Sequence, residues 1–253
     1  MAWFEHDGFR IRYEEAGKGD PVLLLPGLAG RIEELASVID GLAAEFRVVA
    51  ADLPGSGASQ PIPRDYTPDY YQEDAATFAD FVGEVIGGPA HLLGFSDGGE
   101  VALLMAIQSP SIARSVATWG SAGSVPAEAA EMVAAMGEMV DHPVPGMEPF
   151  RAYFVDAYGE DDARRMTRSW SAASTTIVER GGSLSRDRAG EIACPVLLIA
   201  GERDELATPE LVRGLASRIP NAQVVVADGA GHGISWEQPE WLNQTLLAFL
   251  RGI

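Results

Sequence analysis

Six short apolar runs recur along this chain, at residues 22–25, 48–51, 90–95, 116–119, 196–200 and 224–227, with longer helix-patterned stretches between them. A strand buried on both faces reads as a nearly continuous apolar run, because neither face meets water. Parallel neighbours also need a long crossover, which a helix normally supplies. The alternation therefore predicts an α/β protein with a mostly parallel central sheet flanked by helices. Residues 9–13 (Phe-Arg-Ile-Arg-Tyr) alternate instead, which predicts an antiparallel strand at the edge of that sheet. Helices are expected at 32–44, 70–86, 98–108, 209–218 and 238–251. The third is apolar nearly all round and should be buried at the centre.

The alternation lapses between residues 121 and 190, a stretch with Met132, Met136, Phe150, Tyr153 and Trp170 but no convincing strand. Some 70 residues is far more than a strand-to-strand connection requires. The expectation is a core domain built from residues 1–120 and 191–253, with 121–190 inserted as a helical cap over the sheet's C-terminal edge.

One hexapeptide in this framework points to chemistry. Gly94-Phe95-Ser96-Asp97-Gly98-Gly99 follows an apolar run and precedes the helix-patterned stretch from Val101 to Ile107. A serine on a sharp strand-to-helix turn has its hydroxyl lifted clear of the sheet edge. Strand and helix then come so close that Gly94 and Gly98 must lack side chains. A serine hydroxyl is a weak nucleophile without a base, and the base needs a partner to fix its tautomer. Of the four histidines, His6 lies in the N-terminal segment, His91 inside the strand before Ser96, and His142 in the expected cap. His232, in Gly229-Ala230-Gly231-His232-Gly233, follows the last strand, where parallel sheets assemble their sites. The acid should follow another strand end. Asp204 does so, 28 residues before His232, with Glu202 and Asp228 as the other candidates. The oxyanion formed during attack needs two backbone donors. These are expected from the N–H of Asp97 and the N–H of Leu28 in Pro26-Gly27-Leu28, where Gly27 also sets backbone against the substrate.

Composition narrows the partners. Eighteen Lys and Arg against 37 Asp and Glu give a net charge of −19. Such a surface repels phosphate backbones and anionic lipid, arguing against nucleic-acid and membrane roles and for a small-molecule substrate. No uninterrupted apolar stretch approaches a membrane span, and the first residues carry no leader pattern, which favours the cytoplasm. The single cysteine, Cys194, excludes an internal disulfide and reads as a buried, inert thiol. Gly55-Ser56-Gly57 lacks the third glycine of a dinucleotide fingerprint, and no histidine–carboxylate spacing suits a metal. No cofactor or metal is expected, and nothing in the sequence sets the oligomeric state.

With these residues in view, the chain resembles the α/β-hydrolase superfamily nearly end to end, including its Ser, Asp, His order. Pro26-Gly27-Leu28, Asp52-Leu53-Pro54-Gly55-Ser56-Gly57, Ser96-Asp97-Gly98-Gly99 and Trp119-Gly120-Ser121-Ala122 are similar to the biphenyl hydrolase-like, or valacyclovirase, group of serine ester hydrolases. The resemblance implies hydrolysis of small carboxylic esters through an acyl-enzyme on Ser96. It also implies that Asp97, where many related hydrolases carry methionine or glutamine, pairs with a substrate α-ammonium. The alternative is that Asp97 merely complements the positive end of the following helix. The same triad also serves lactonases, enol-lactonases and carbon–carbon bond hydrolases of ring-cleavage products, and the fold can serve as a slow or inert ligand receptor.

Overall fold

A computed structural model describes residues 1–253. Eight strands form one sheet: β1 (Ala2–His6), β2 (Phe9–Ala16), β3 (Asp20–Leu25), β4 (Phe46–Ala51), β5 (Ala90–Phe95), β6 (Ala113–Trp119), β7 (Val196–Gly201) and β8 (Ala222–Ala227), in the order β1-β2-β4-β3-β5-β6-β7-β8. β1 and β2 run antiparallel to their neighbours, and every pairing from β4 to β8 is parallel. After β3 the chain builds β4 on one side and then returns to place β5 on the other. The order of strands thus reverses between β3 and β5. Loops leaving the C-terminal ends of two such strands diverge and leave a crevice. Residues Gly27 and Leu28 follow one of these strands, and Ser96 follows the other.

The helices are α1 (Ala36–Leu42), α2 (Tyr70–Phe81), α3 (Asp97–Gln108), α4 (Ala130–Glu138), α5 (Glu148–Glu179), α6 (Pro209–Ala216), α7 (Ile234–Glu237) and α8 (Pro239–Leu250). One apolar core lies between the sheet and α2 and α3, and a second lies on the other face beneath α1 and α8. Every residue of α3 from Asp97 to Ile107 is buried, as its all-round apolarity requires. α6 starts with Pro209, whose missing N–H costs nothing at that position, and the Thr208 hydroxyl accepts from the Leu211 amide at 3.3 Å. Both α4 and α5 belong to the stretch between β6 and β7 and pack on each other, α5 being interrupted by a non-helical Gly159. No helix is long and apolar enough to cross a membrane.

Five local expectations change. The strand at residues 9–13 is not the edge of the sheet, because β1 pairs outside it. The signal for that hairpin is Asp7-Gly8, both with positive φ (46° and 84°), the backbone a tight two-residue hairpin turn demands. The run 224–227 belongs to the opposite edge strand, so Val224, Val225 and Val226 are only half-buried. The expected helix at 32–44 is a short 3-10 turn (Ile32–Leu35) leading into α1, and that at 70–86 widens after Phe81. Cys194, two residues ahead of β7, is half-buried rather than enclosed, and its burial raises the thiol pKa.

Candidate active site

Ser96 sits between β5 and α3 with φ 50° and ψ −117°, a conformation in which a non-glycine residue is strained. Close packing enforces it. A Cβ on Gly94 would lie 2.3 Å from the Gly98 carbonyl carbon, and one on Gly98 would lie 2.3 Å from the Pro26 carbonyl oxygen. The serine backbone is further tied to β6 and the turn that follows it. Its N–H donates to the Trp119 carbonyl at 2.8 Å, and its carbonyl accepts the Ser121 hydroxyl at 2.7 Å.

The structure brings Ser96, His232 and Asp204 into one hydrogen-bonded chain. His232 Nε2 lies 3.1 Å from Ser96 Oγ, and its Nδ1 lies 2.9 Å from Asp204 Oδ2. Asp204 is buried, and its other oxygen accepts the amides of Leu206 (2.8 Å) and Ala207 (2.9 Å). Burial pushes this carboxyl up, but the His232 hydrogen bond and charge and the two amides outweigh it and hold the pKa below the ordinary value. The imidazole packs on the Phe95 ring at 5.1 Å between centroids. Its loop is clamped by Glu237, whose two oxygens accept the Gly231 and Gly233 amides at 2.7 and 3.1 Å, one on each side of His232. The other histidines lie elsewhere. His91 is buried against Ser115 Oγ, with a pKa pushed down to about 4 chiefly by burial; His6 lies beside Asp7 and Asp80. Of the other acids, Glu202 accepts the Gly229 amide.

Across from Ser96 runs the loop after β3. Gly27 lies so near that an added Cβ would approach Ser96 Cβ at 3.2 Å. The N–H groups of Leu28 and Asp97 donate to nothing within the protein. Ala29 follows with φ 53°, and its carbonyl accepts the hydroxyls of Tyr153 (2.8 Å) and Tyr158, both from α5. Tyr158 also accepts the Gly57 amide at 2.9 Å. Behind the loop, buried Asp52 accepts the amides of Ile32 and Ala58, each at 2.8 Å. The loop carrying Gly27 and Leu28 is therefore held from two sides.

Ser96, His232, Gly27, Leu28 and Asp97 open onto one cavity of about 910 Å³, roofed by side chains such as Met132, Met136, Phe150 and Trp170. Its charged lining is one-sided: Glu34, Asp97, Glu100, Glu128 and Glu205 contribute carboxylates, and no lysine or arginine takes part. Asp97 Oδ1 accepts the Tyr71 hydroxyl at 2.8 Å, and Oδ2 accepts that of Tyr70 at 3.1 Å. Burial raises the Asp97 pKa to about 6 against the pull of these two donors. No three His, Cys, Asp or Glu side chains gather in a way that could hold a metal ion.

Residues 22–245 match the family model described as the alpha/beta hydrolase family. The chain belongs to the alpha/beta hydrolase family. The human serine hydrolase BPHL is 30% identical over 204 residues, covering 79% of this chain and 69% of the human protein. A 2-hydroxy-6-oxononadienedioate/2-hydroxy-6-oxononatrienedioate hydrolase of Burkholderia vietnamiensis is 26% identical over 279 residues, covering 96% and 91% of the two chains. Among solved structures, a thermophilic esterase from Thermogutta terrifontis superposes with a TM-score of 0.73 at 27% identity, covering 96% and 94%.

Within this α/β hydrolase, the sequence pattern missed the partners that hold the site together. Tyr70, Tyr71 and Glu237 carry no spacing signal relative to Ser96, whereas Tyr153 and Tyr158 lie in the aromatic-rich stretch expected as the cap. Tyr70 and Tyr71 come from a helix distant in sequence, and Glu237 from the turn just after His232. Glu100 stands three residues after Asp97 and so on the same helix face, which i, i+3 spacing could have flagged.

Proposed function

We propose that this protein is a serine hydrolase of small carboxylic esters, with α-amino-acid esters the favoured class. The observation that carries the reading is the Asp204–His232–Ser96 hydrogen-bond chain, with distances of 2.9 and 3.1 Å, whose serine and histidine line an acid-walled cavity. Ser96 Oγ attacks the acyl carbon while His232 Nε2 takes its proton. Asp204 keeps the other imidazole nitrogen protonated and offsets the charge that develops. The partnerless amides of Leu28 and Asp97 face the developing oxyanion, each contributing about 3 kcal/mol in sites of this type. His232 then returns the proton to the leaving alcohol, and an acyl-enzyme remains on Ser96. Water, deprotonated by His232, releases the acid and restores the serine. Residues 121–190 act as the cap: their side chains roof the cavity, and Tyr153 and Tyr158 reach from α5 to the loop bearing Leu28.

Asp97 sets the preference for a cation beside the scissile carbonyl. Its carboxylate follows the nucleophile directly, is nearly closed to solvent, and already accepts two neutral hydroxyls that orient it. The lining also bears on the rival lactonase and carbon–carbon hydrolase readings. Ring-cleavage products are carboxylates, and an acid-lined wall without lysine or arginine offers them no counter-charge. A matched panel of neutral acyl, α-aminoacyl and lactone substrates tests the assignment. The α-aminoacyl esters should show the highest kcat/KM, and a fluorophosphonate probe should label Ser96 stoichiometrically. Failure of the probe to label, or turnover retained near the native rate in Ser96→Ala, would overturn the serine mechanism.

A further inference from the structure

One buried acid in the cavity wall has no part in the mechanism above. Glu100 lies on α3, three residues after Asp97, and is 3% exposed. Its Oε1 accepts the Ser185 hydroxyl at 2.6 Å, with the Ser185 amide at 3.4 Å. Its Oε2 is shut off from solvent and has no hydrogen-bond partner of good geometry; the nearby Gly123 amide helps to hold the carboxyl pKa down without closing such a bond. A buried carboxylate oxygen left this way is costly, because the water it gave up has not been replaced. No arginine or lysine contributes to the cavity lining. Arg64, whose charge reaches Asp97, is tied to Asp74 by two hydrogen bonds of 2.8 and 2.6 Å.

We propose that Glu100 forms, with Asp97, a two-carboxylate wall that selects esters of α,ω-diamino acids. Asp97 takes the α-ammonium, and Glu100 takes the ammonium at the end of the side chain. The inference rests on the aminoacyl-ester reading above and names the acyl group within it. Residues at i and i+3 stand about 5–6 Å apart at Cβ, a separation that a short diamino-acid side chain spans. A second cation satisfies Oε2 and relieves the repulsion between the two acids. A neutral side chain does neither. The burial that lifts the Glu100 pKa to about 7 keeps the residue largely neutral in acid and lets it ionise as the dication arrives. The tie to Ser185 holds the carboxyl in place, so the residue both braces the chain returning from the cap and reads the substrate.

The test compares ornithine and norleucine ethyl esters, which differ by an ammonium in place of a methyl group. Native protein should hydrolyse the ornithine ester with kcat/KM at least ~10-fold higher. Glu100→Gln preserves an acceptor for Ser185 and removes the charge. It should abolish that preference, with the loss falling on the ornithine ester. Glu100→Asp, which retains the charge, should keep part of the preference. Calorimetric binding of ornithinamide and norleucinamide to the native protein and to Glu100→Gln reads the same subsite without turnover. If amide binding shows the Glu100-dependent preference but no aminoacyl ester is cleaved, the ester-hydrolase reading fails and the subsite stands. An equal loss on both esters in Glu100→Gln, or a native preference for norleucine in both measurements, overturns the diamino-acid proposal and leaves Glu100 a structural brace.

Discussion

Two aspartates line one cavity, and their surroundings drive them in opposite directions. Asp204 meets an imidazole that can carry positive charge and two backbone amides, and its pKa falls below the ordinary value despite burial. Asp97 meets two tyrosyl hydroxyls and only the more distant charge of Arg64, already tied to Asp74, and burial raises its pKa to about 6. Burial penalises both anions. What differs is whether a partner with positive charge is already present in the fold. Asp204 is complete within the protein, as suits the proposed role of holding a histidine through every turnover. Asp97 is incomplete, as suits the proposed role of taking a cation that arrives with the substrate. A polar residue's part in such a site is better read from what its environment withholds than from its burial alone.

The largest break in this contrast should come from Asp204→Asn. An amide cannot both keep its contacts with the Leu206 and Ala207 amides and hold the His232 tautomer by accepting at Nδ1–H. The expected outcome is a loss of about 10⁴-fold in kcat on every ester alike, measured by steady-state kinetics. Asp97→Asn should instead be selective. Loss of a charge-assisted hydrogen bond of about 1.5–3 kcal/mol predicts a drop of about 10–100-fold in kcat/KM for α-aminoacyl esters, with neutral esters nearly unaffected. The pH dependence sharpens the same point. The ratio of aminoacyl to neutral-ester kcat/KM cancels the titration of His232. It should fall as pH drops through about 6, where Asp97 takes a proton and loses its charge, and Asp97→Asn should make it flat. A ratio independent of pH in the native protein would remove Asp97 from substrate recognition.

The smallest effect concerns stability and has opposite sign at the two aspartates. Asp97 binds its proton more tightly folded than unfolded, so the folded state loses stability as pH rises from about 4 through about 6, and the cost is complete above that. Asp204 behaves in reverse, and its contribution is lost as pH falls through its depressed folded pKa. Asp97→Asn should therefore stabilise the protein by on the order of 1–3 kcal/mol at pH 8 and by much less at pH 4.5. Thermal unfolding of the two proteins at both pH values measures this directly. An equal change in Tm at the two pH values would mean that Asp97 has a cation partner in the folded protein.

The turn at Ser96 was legible because its causes are local. Gly94 and Gly98 flank the serine within two residues, and the strand and helix periodicities on either side are continuous in sequence. Asp204 and His232 were legible for a related reason: chain order and strand ends locate them without any contact being known. The hairpin at Asp7-Gly8 was equally local, but its flanking run Ala2–His6 is too short and too mixed to stand out as a strand. Cys194 and the valines of β8 show the opposite limit. Both are apolar in sequence, but Cys194 lies outside the sheet, two residues ahead of β7, and the sheet order puts β8 at an edge, so each is only partly covered.

The sequence by itself determined the parallel sheet, the strained serine turn and the order of the three side chains proposed to do the chemistry. Periodicity, glycine placement and chain order act over a few residues or along a single direction. Only the tertiary structure decided what surrounds those side chains. It brought Tyr70 and Tyr71 from 27 and 26 residues away to Asp97, Tyr153 and Tyr158 from 124 and 129 residues away to Ala29, and Ser185 from 85 residues away to Glu100. A carboxyl's charge, and hence its use, depends on burial and on the partners within a few ångströms. Both are properties of the packed chain. Asp97 and Glu100 are ordinary acids on one helix until the fold closes over them and leaves them without a cation.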